Sequence, residues 1–501
     1  MSAEHLPSVS KTRSFMTVCL IEVWERFGFI GMQSIIVYYM VQRLGFPDSK
    51  ATLVWSAAAA LIYVSPAFGG WIGDQILGTK RTLQLGSFVL IIGYTMMAIP
   101  STNHWLLYSA LGVIVVGNGL FKPNAGNLVR KIYHGDNSKI DSAFTMYYMS
   151  VNVGSTVTIL VTPVIKEILT AKYGSEIGWH GAFGVSVIGL LIGIANYNLM
   201  KGTLKQYGSR VEEKPINIKH LVAVLFACVL TVGISAIILQ YEQLAKFFVY
   251  SAFVIVAIIF LYLISKSKKV ERPGLIIALI LTLQSVFFFI FYQQLSTSLS
   301  LFALRNVDWS FNAFGVHLWN WQPAQFQALN PLWIMIMSPI LAWLYNWTHR
   351  NKVNFTIGIK FSLGFFVVAL GFFIFSQANL FALNGKTSSW VMVWGYGAYS
   401  LGELLVSGLG LAMIARFVPE RICGFMMGAY FVSSGNSQYL GGLVANYASV
   451  PHDITDPIKT MVIYTDLFYK LGFAALGCTL ISLLVLPKLN QLTREHIRNE
   501  G

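Results

Sequence analysis

Charged side chains are scarce in this chain of 501 residues. Asp, Glu, Lys and Arg together make up 11% of it, whereas an ordinary soluble globular protein carries roughly 25%. Hydrophobic residues reach 55%, and a membrane-spanning helix needs about 20 consecutive, mostly apolar residues. The composition therefore argues against a large soluble domain and predicts an all-α polytopic membrane protein.

Cysteine is also rare, and its positions indicate no metal or redox chemistry. All four cysteines lie in apolar segments and none is part of a CxxC pair: Cys19, Cys228, Cys423 and Cys478. This pattern favours buried thiols over disulfides or metal ligands. Because no metal-spaced His/Cys set and no nucleophile triad is found either, we expect no enzyme, no catalytic residue, no metal and no cofactor.

Apolar runs long enough to cross a bilayer follow one another along the chain. Fourteen spans are predicted, at about 14–42, 51–73, 82–100, 104–130, 140–168, 180–200, 221–240, 246–265, 273–302, 325–347, 355–377, 389–416, 422–448 and 460–487. The first of them begins near Phe15 and already contains charged residues, which the apolar region of a cleavable signal excludes.

The segment 201–220 is the only long connection between predicted spans that is both polar and highly charged. Six spans precede this segment, and a hydrophobic pair and then six further spans follow it. Two groups of six spans indicate parallel repeats packed around a central site. The predicted organisation is a tail 1–13, a six-helix bundle 14–200, a linker 201–220, an extra helix pair 221–271, a second six-helix bundle 272–487 and a tail 488–501. Within this pair, the stretch 221–265 is nearly free of ionisable residues, which favours a lipid-facing spacer over a catalytic element.

The net charge of +14 does not indicate a nucleic-acid partner, because the basic residues lie in short loops rather than clustered on a soluble face. Most of them fall in alternate connections, as the positive-inside rule requires, and this places both termini in the cytoplasm. The segment 305–324 is then an outer loop with clustered tryptophans. Such a cluster favours an interfacial aromatic belt over a ligand-stacking platform.

Among the ionisable residues inside the predicted spans, five stand out: Glu22, Glu25, Arg26, Lys122 and Glu403. Such a charge costs about 2.5–3.5 kcal/mol on insertion scales and is a candidate for function. On a helix, the i,i+3 and i,i+4 spacing lets Glu22, Glu25 and Arg26 share one face. Lys122 is the obvious second cation to balance the two carboxylates, and Glu403 is left alone in the second half.

A structural explanation of the same residues is that buried ion pairs lock the first helix to the fourth. Lys122 is flanked by Gly117, Gly119, Pro123 and Gly126. Glycine and proline inside a span indicate either close helix packing or a discontinuity that lines a cavity, and the sequence leaves both open.

Several uncharged polar residues also fall inside spans, and each alone is weak evidence. They would line a hydrated interior or form interhelical hydrogen bonds, which are typically worth only about 0.6 kcal/mol. These residues are Tyr63, Asn152, Gln293, Gln294, Asn330 and Ser407.

Four motifs resemble those of the proton-dependent oligopeptide transporter family within the major facilitator superfamily. The first span reads EVWERF, similar to the family's E-x-x-E-R-F motif, and the loop after the second span reads GGWIGDQILGTKR. The fifth span contains FTMYYMSVNVGS, and the tenth of the twelve family helices contains SLGELLVSGLG. The matches run from about residue 20 to 445 in the family's order and look most like bacterial di- and tripeptide permeases, a subgroup that the inserted helix pair also fits.

This resemblance implies a major facilitator fold of two six-helix bundles plus two extra helices. It also implies proton-coupled import of di- and tripeptides by alternating access across the bacterial inner membrane. The expected partners are small peptides, protons and membrane lipid, with the proton as coupling ion and the chain as a monomer.

Site roles follow from the resemblance, position by position. Proton coupling is assigned to Glu22, Glu25, Arg26 and Lys122. Glu403, Asn152 and Asn330 would bind the peptide ammonium, and Lys122 its carboxylate. Tyr63 and Ser407 match pocket positions, and Asp74 and Arg81 match a cytoplasmic gate.

The sequence departs from the family pattern at several pocket positions. Many members have two tyrosines and an arginine where this chain has Phe29, Ile30 and Gln33, which shifts more of the anchoring to Lys122. Gln293 replaces a common acidic residue and Tyr430 a common tryptophan.

Two other functions are kept as alternatives. One is a transporter of the same fold for an amino acid, nitrate or a drug; nitrate has no ammonium group to pair with Glu403, which counts against it. The other is a non-transporting peptide sensor, for which the cytoplasmic loops are too short to hold an effector domain.

Overall fold

The computed structural model describes residues 10–133, 137–351, 356–406, 410–451 and 454–500. Up to residue 200 they form α1 (Lys11–Gln42), α2 (Asp48–Val64), α3 (Pro66–Gln75), α4 (Thr79–Ala98), α5 (His104–Ile132), α6 (Asn137–Tyr173) and α7 (Ser175–Met200). The helix pair after the linker is α8 (Ile218–Gln240) and α9 (Glu242–Lys266).

The remaining helices are α10 (Arg272–Tyr292), α11 (Ser298–Asn306), α12 (Leu329–Arg350), α13 (Ile357–Ser376), α14 (Ser389–Val406), α15 (Gly410–Phe417), α16 (Glu420–Ala445) and α17 (Pro457–Glu500). The described part of each of the fourteen predicted spans overlaps one of these helices or two in succession. Within the described ranges, ten helical segments are long and apolar enough to cross a membrane.

Within the described residues, two predicted spans are interrupted. The span 51–73 is divided into α2 and α3 at Ser65, because Pro66 lacks the N–H that would continue the helical hydrogen bonding. The span 273–302 is divided by the 3-10 turn Gln293–Ser296. At the other end of the chain, α17 continues as one helix through the predicted tail, because loss of hydrophobicity does not by itself end a helix.

The chain divides into two compact units. Unit 1 lies within Met1–Ile35 and Ser65–Gln240. In it α4 packs on α5 and α7, α6 packs on α7, and α5 packs on α8. Small residues allow α1 to approach its neighbours, with Gly154 of α6 against the Val23 carbonyl and Gly193 of α7 against Trp24.

Unit 2 comprises Ile36–Val64 and Tyr241–Gly501. In it α13 packs on α14 and α17, and α10 packs on α16 and α17. The segment α2 belongs to this unit because it packs along α16. Polar contacts reinforce this packing: Thr52 donates to Asn446 at 2.5 Å, and Gln293 donates to Ser56 at 3.0 Å.

Two short antiparallel hairpins lie in the connections of unit 2, β1 (Ser310–Ala313) with β2 (Val316–Asn320), and β3 (Ala382–Leu383) with β4 (Lys386–Thr387). Both two-residue tips have positive φ, at Phe314 and Gly315 and at Asn384 and Gly385. Such tips match the right-handed twist of the strands they join.

The tryptophan-rich connection has a packed interior of its own. The Phe311 ring stacks on Trp319 with centroids 5.0 Å apart and contacts Trp321, Phe326 and Trp390. The Trp390 indole donates to the Asn312 carbonyl at 2.8 Å. The cluster therefore stabilises the connection, a role beyond the aromatic belt and the stacking platform considered from sequence.

Candidate functional site

The three charged residues of α1 form a buried cluster, with exposures of 2% for Glu22, 0% for Glu25 and 5% for Arg26. Arg26 makes a two-pronged contact to Glu25, with Nε 2.5 Å from Oε2 and Nη2 2.7 Å from Oε1. Its contact with Glu22 is longer, at 3.5 Å. The pair four residues apart is therefore the weaker one, because the arginine side chain folds back over its immediate neighbour.

Asn118 of α5 also forms a hydrogen bond with Arg26, and the sequence did not identify it. It is fully buried, accepts from Arg26 Nη2 at 3.1 Å and donates to the Ile114 carbonyl at 3.2 Å. A polar amide one helical turn before Lys122, in an otherwise apolar run, is the signal that could have indicated it.

Lys122 lies near the α1 cluster and interacts electrostatically with Glu22, Glu25 and Arg26. Its side chain is exposed, although most of α5 around it is buried. The helix continues through Pro123, and Gly119 lies directly against Ser65. Of the two explanations for the flanking glycines, the structure therefore favours close packing at Gly119.

Two tyrosines that sequence reasoning missed border the cluster. Tyr94 of α4 is fully buried, lies against Gly28 of α1, and interacts with Glu25 and Arg26. Tyr147 of α6 lies within hydrogen-bonding reach of Glu22. Neither could be singled out, since tyrosine is common in spans and its role depends on tertiary packing.

The remaining predicted residues of unit 1 have different surroundings. Asn152 is buried, and its amide donates to the Tyr148 carbonyl of its own helix at 2.9 Å. The Phe29 ring lies 4.9 Å from the Arg26 guanidinium carbon, so the aromatic residue that replaces a family tyrosine supplies a cation–π surface. Gln33 is half-buried on α1.

In unit 2 the centre is Glu403 of α14, which is 5% exposed. Asn330 of α12 donates to its Oε2 at 2.7 Å and to Ser400 at 3.1 Å. Tyr399 lies near both Glu403 and Tyr63. The centroids of the Tyr63 and Phe289 rings are 6.1 Å apart. The structure thus brings together three of the predicted peptide-binding residues.

Gln293 and Tyr430 have other described contacts. Gln293 lies in the turn between α10 and α11 and bonds to Ser56, and Tyr430 lies against Ser285 and Ser434. The contacts of Gln293 with Ser56 and of Tyr430 with Ser285 are interhelical, of the kind expected for isolated polar residues, whereas Ser434 lies one turn from Tyr430 on α16. Ser407 lies outside the described residues.

The predicted gate residues lie at the turn between α3 and α4. Asp74 is exposed and accepts from Asn127 at 2.7 Å. Arg81 donates to the carbonyls of Glu212 and Lys214, at 3.2 and 2.8 Å. The charged linker is therefore docked on this turn, where Gly78 has a φ of +96°.

A second ion pair connects three helices of unit 2. Arg305 of α11 forms two hydrogen bonds to Asp48 of α2 and one, at 2.7 Å, to the Tyr464 hydroxyl of α17. Asp48 is 2% exposed and also accepts from the Val450 amide. We call these contacts the Asp48–Arg305 latch. Sequence reasoning missed it because it placed both residues outside the spans.

Among the residues that the structure describes, no group of three or more His, Cys, Asp or Glu side chains is arranged to hold a metal ion.

Comparison with known proteins assigns the chain to a family. The POT family model matches residues 80–479. Dipeptide and tripeptide permease B of Photorhabdus asymbiotica is 39% identical over 487 residues, covering 97% of each chain. Dipeptide and tripeptide permease A of Escherichia coli is 38% identical over 494 residues, covering 98% of this chain and 95% of the permease.

Solved structures agree with this assignment. Tetrameric PepTSo2 is 63% identical with a TM-score of 0.89, covering 97% of this chain and 100% of that one. A peptide transporter POT in complex with sulfate is 27% identical with a TM-score of 0.80, covering 96% and 95%. The chain therefore has the major facilitator fold and belongs to the POT family, the proton-dependent oligopeptide transporters, which are transporters and not enzymes.

Proposed function

We propose that this chain is a proton-coupled symporter that imports di- and tripeptides across the bacterial inner membrane by alternating access, with both termini in the cytoplasm. The permease names of its relatives support the substrate class. The observation that carries the proposal is the buried α1 cluster, in which one arginine forms two hydrogen bonds to Glu25 and only a 3.5 Å contact to Glu22.

Glu22 is the proton carrier in this proposal. Glu25 is compensated by the two-pronged contact from Arg26, the strong geometry for a carboxylate and a guanidinium. Glu22 has a longer ion pair with Arg26 and a tyrosine, Tyr147, within reach. Protonating Glu22 therefore sacrifices less electrostatic stabilisation than protonating Glu25.

Lys122 couples this proton to the peptide. When Glu22 is ionised, the exposed Lys122 interacts with the carboxylates of the α1 cluster. Protonation of Glu22 removes one of these negative charges, and the ammonium group of Lys122 then binds the peptide carboxylate. Proton binding and peptide binding favour each other, which is the thermodynamic requirement of a symporter.

Glu403 binds the peptide's ammonium end. Asn330 donates a hydrogen bond to the Glu403 carboxylate. Because the donor is a neutral amide, this bond does not neutralise the negative charge. A cationic ligand supplies the missing charge, and Ser400 and Tyr63 border the same carboxylate through Asn330 and Tyr399. Asn152, Phe29, Gln33, Gln293, Tyr430 and Ser407 stay as predicted pocket positions.

Alternating access requires two gates that open in turn. In the predicted topology the Asp48–Arg305 latch lies at the outer ends of α2 and α11. Asp74 and Arg81 lie at the cytoplasmic end of α3 and α4. We propose that the latch closes the outer side, and that the turn at Asp74 and Arg81 with the docked linker belongs to the cytoplasmic gate.

The transport unit is the single chain, since all of these residues belong to one copy. A relative 63% identical to it forms a tetramer in its structure. Light scattering in detergent decides between the monomer predicted from sequence and such an assembly, and neither result changes the residues assigned here.

The test is uptake of a labelled dipeptide into proteoliposomes under an imposed proton gradient, inside alkaline. We expect accumulation that a protonophore abolishes, that dipeptides inhibit and nitrate does not, and that Glu403→Gln strongly reduces. Glu271→Gln is the matched control. The hydrogen bond from Arg421 lowers the pKa of this loop carboxylate, so Glu271 stays ionised across the assay range and carries no coupled proton. Uptake unchanged by the protonophore contradicts the proposal.

A further inference from the structure

Unit 2 contains a cavity of about 610 Å³ at the ends of four helices. It is lined by the second and third turns of α10, the start of α13, the end of α15 and the polar end of α17. Its volume is within the range of small-molecule binding sites, roughly 300–1,000 Å³. None of the residues assigned to transport lines it, so it is distinct from the site described above.

The charged residues lining this cavity are all basic. Lys360, Arg416 and Arg494 line it, and no carboxylate is found among its described lining residues. The neighbouring Glu495 is hydrogen-bonded to Gln491 at 2.8 Å. Three cations around one cavity predict an anionic ligand, and arginine is the side chain that best matches the oxygens of a phosphate group.

The three cations are not equivalent. The Lys360 ammonium lies over the Tyr345 ring, 4.0 Å from its centroid. This cation–π contact restricts the position of the ammonium group. Arg416 and Arg494 have exposed side chains. The Arg416 guanidinium carbon lies 5.4 Å from the centroid of the neighbouring Phe417 ring, a longer contact than that of Lys360. The first turn of α13 adds the positive end of a helix dipole to the same wall. The two arginines are therefore the principal candidates for contact with the anion.

Most of the remaining wall is apolar, with Thr356, Asn490 and Thr493 as its polar members. This apolar share distinguishes the cavity from a site for a free inorganic anion. Ile277, Leu281, Phe417 and Leu489 line it together with the cations. The apolar helices α10 and α13 begin here, and α17 changes from apolar to polar sequence at the same level. Basic residues above apolar walls at the ends of membrane helices match an anionic lipid headgroup with its acyl chains.

We propose that this cavity binds the phosphodiester headgroup of an anionic phospholipid. Arg416 and Arg494 contact the phosphate, and the apolar side chains contact the glycerol and the first acyl carbons. The predicted orientation places the cavity in the cytoplasmic leaflet. The inference concerns lipid binding alone, and its test does not depend on transport activity.

The test is native mass spectrometry of the detergent-purified full chain with phosphatidylglycerol or phosphatidylcholine of identical acyl chains. We expect preferential retention of phosphatidylglycerol. Each arginine near an anionic headgroup increases the affinity for the lipid about five-fold. The double substitution Arg416→Gln and Arg494→Gln should therefore weaken retention of phosphatidylglycerol about 25-fold. Lysine at both positions should preserve most of it.

Arg498→Gln is the matched control. It removes the same charge from the same helix, one turn beyond Arg494, outside the cavity lining, and it should leave phosphatidylglycerol retention unchanged. Thermal unfolding without added lipid verifies that the variants fold. Equal retention of the two lipids, or an equal loss in Arg498→Gln, overturns the proposal. Displacement of phosphatidylglycerol by millimolar inorganic phosphate does so too, since it identifies a free-phosphate site.

Discussion

Two neighbouring carboxylates on one helix have different surroundings, and this difference sets their proposed roles. Arg26 holds Glu25 through two short hydrogen bonds, whereas its contact with Glu22 is 3.5 Å long. Removing one partner of a buried, two-pronged pair leaves the other charge unpaired, at a cost of about 3–5 kcal/mol. The two residues therefore respond differently to the same substitution.

For Glu22→Gln we expect loss of accumulation driven by a proton gradient, with counterflow exchange of dipeptide preserved, because the proton carrier is removed and the binding residues remain. For Glu25→Gln we expect a lower melting temperature, since Arg26 loses its main partner. Transport assays in proteoliposomes and thermal unfolding in detergent measure the two effects. Accumulation above equilibrium by Glu22→Gln would show that another residue carries the proton.

Glu403 should recognise the free amino group of the peptide. A hydrogen bond to a charged group contributes about 1.5–3 kcal/mol, so Glu403→Gln is expected to weaken dipeptide binding by roughly 10- to 150-fold. An N-acetylated dipeptide has no ammonium group, and its weak binding should be the same in both proteins. Competition against a labelled dipeptide measures both affinities, and an equal loss for the two ligands argues against this role.

The charged members of the site could be predicted from sequence, but their geometry could not. Glu22, Glu25, Arg26 and Lys122 were found because each interrupts an apolar run. Asn118 and Tyr94 were missed because uncharged polar residues are tolerated in spans for many reasons. The closer pairing of Arg26 with Glu25 depends on rotamers set by the helices around it.

At the level of helices, close packing around α5 is the main local constraint. A Cβ added at Gly119 would lie 2.7 Å from the Cβ of Ser65, whereas no described atom lies within 4 Å of a Cβ added at Gly126. Both glycines are interior positions of α5, so the same substitution changes the intrinsic helix propensity equally at both. The difference between them is the space available.

Gly119→Val should therefore destabilise the protein, by about 1–3 kcal/mol for overpacking, and Gly126→Val should not. Melting temperatures in the same detergent measure the contrast. Similar values for the two variants would contradict the packing derived for α5.

The Asp48–Arg305 latch gives a second prediction for the helices. Asp48 is buried, and the Arg305 side chain is 24% exposed. Replacing the Asp48 carboxylate by a neutral amide should therefore lower the free energy of unfolding by about 1.5–3 kcal/mol. We expect Asp48→Asn to lower the melting temperature measurably. The matched control is Glu242→Gln, which breaks an exposed i,i+4 pair with Lys246 at the start of α9 worth less than 1 kcal/mol. An equal effect of the two substitutions would show that the latch is not stabilising.

Helix interruptions were only partly foreseeable. Pro66 is visible in the sequence, and its missing N–H explains the end of α2. The turn Gln293–Ser296 has no such residue. It is stabilised by tertiary contacts, such as the hydrogen bond from Trp55 to Ser296 at 3.1 Å, and hydropathy does not contain this information.

At the scale of the whole molecule, the number and order of the spans follow from the sequence because apolar runs are long and charges few. The division into units does not. The segment Ile36–Val64 belongs to unit 2 through contacts with residues more than 200 positions away, among them Trp55 with Ser296. Similarly, the linker has the polar sequence of a free loop but docks through Glu212 on Lys80 at 3.4 Å.

The central claim is that peptide and proton cross the membrane together on this chain. The most direct measurement uses proteoliposomes that contain a pH-sensitive dye, with no imposed gradient and a dipeptide added outside. A peptide gradient alone should then drive protons inward, so we predict acidification of the lumen by the wild type and none by Glu22→Gln. Entry of labelled dipeptide into wild-type vesicles without any change in lumenal pH would contradict the account.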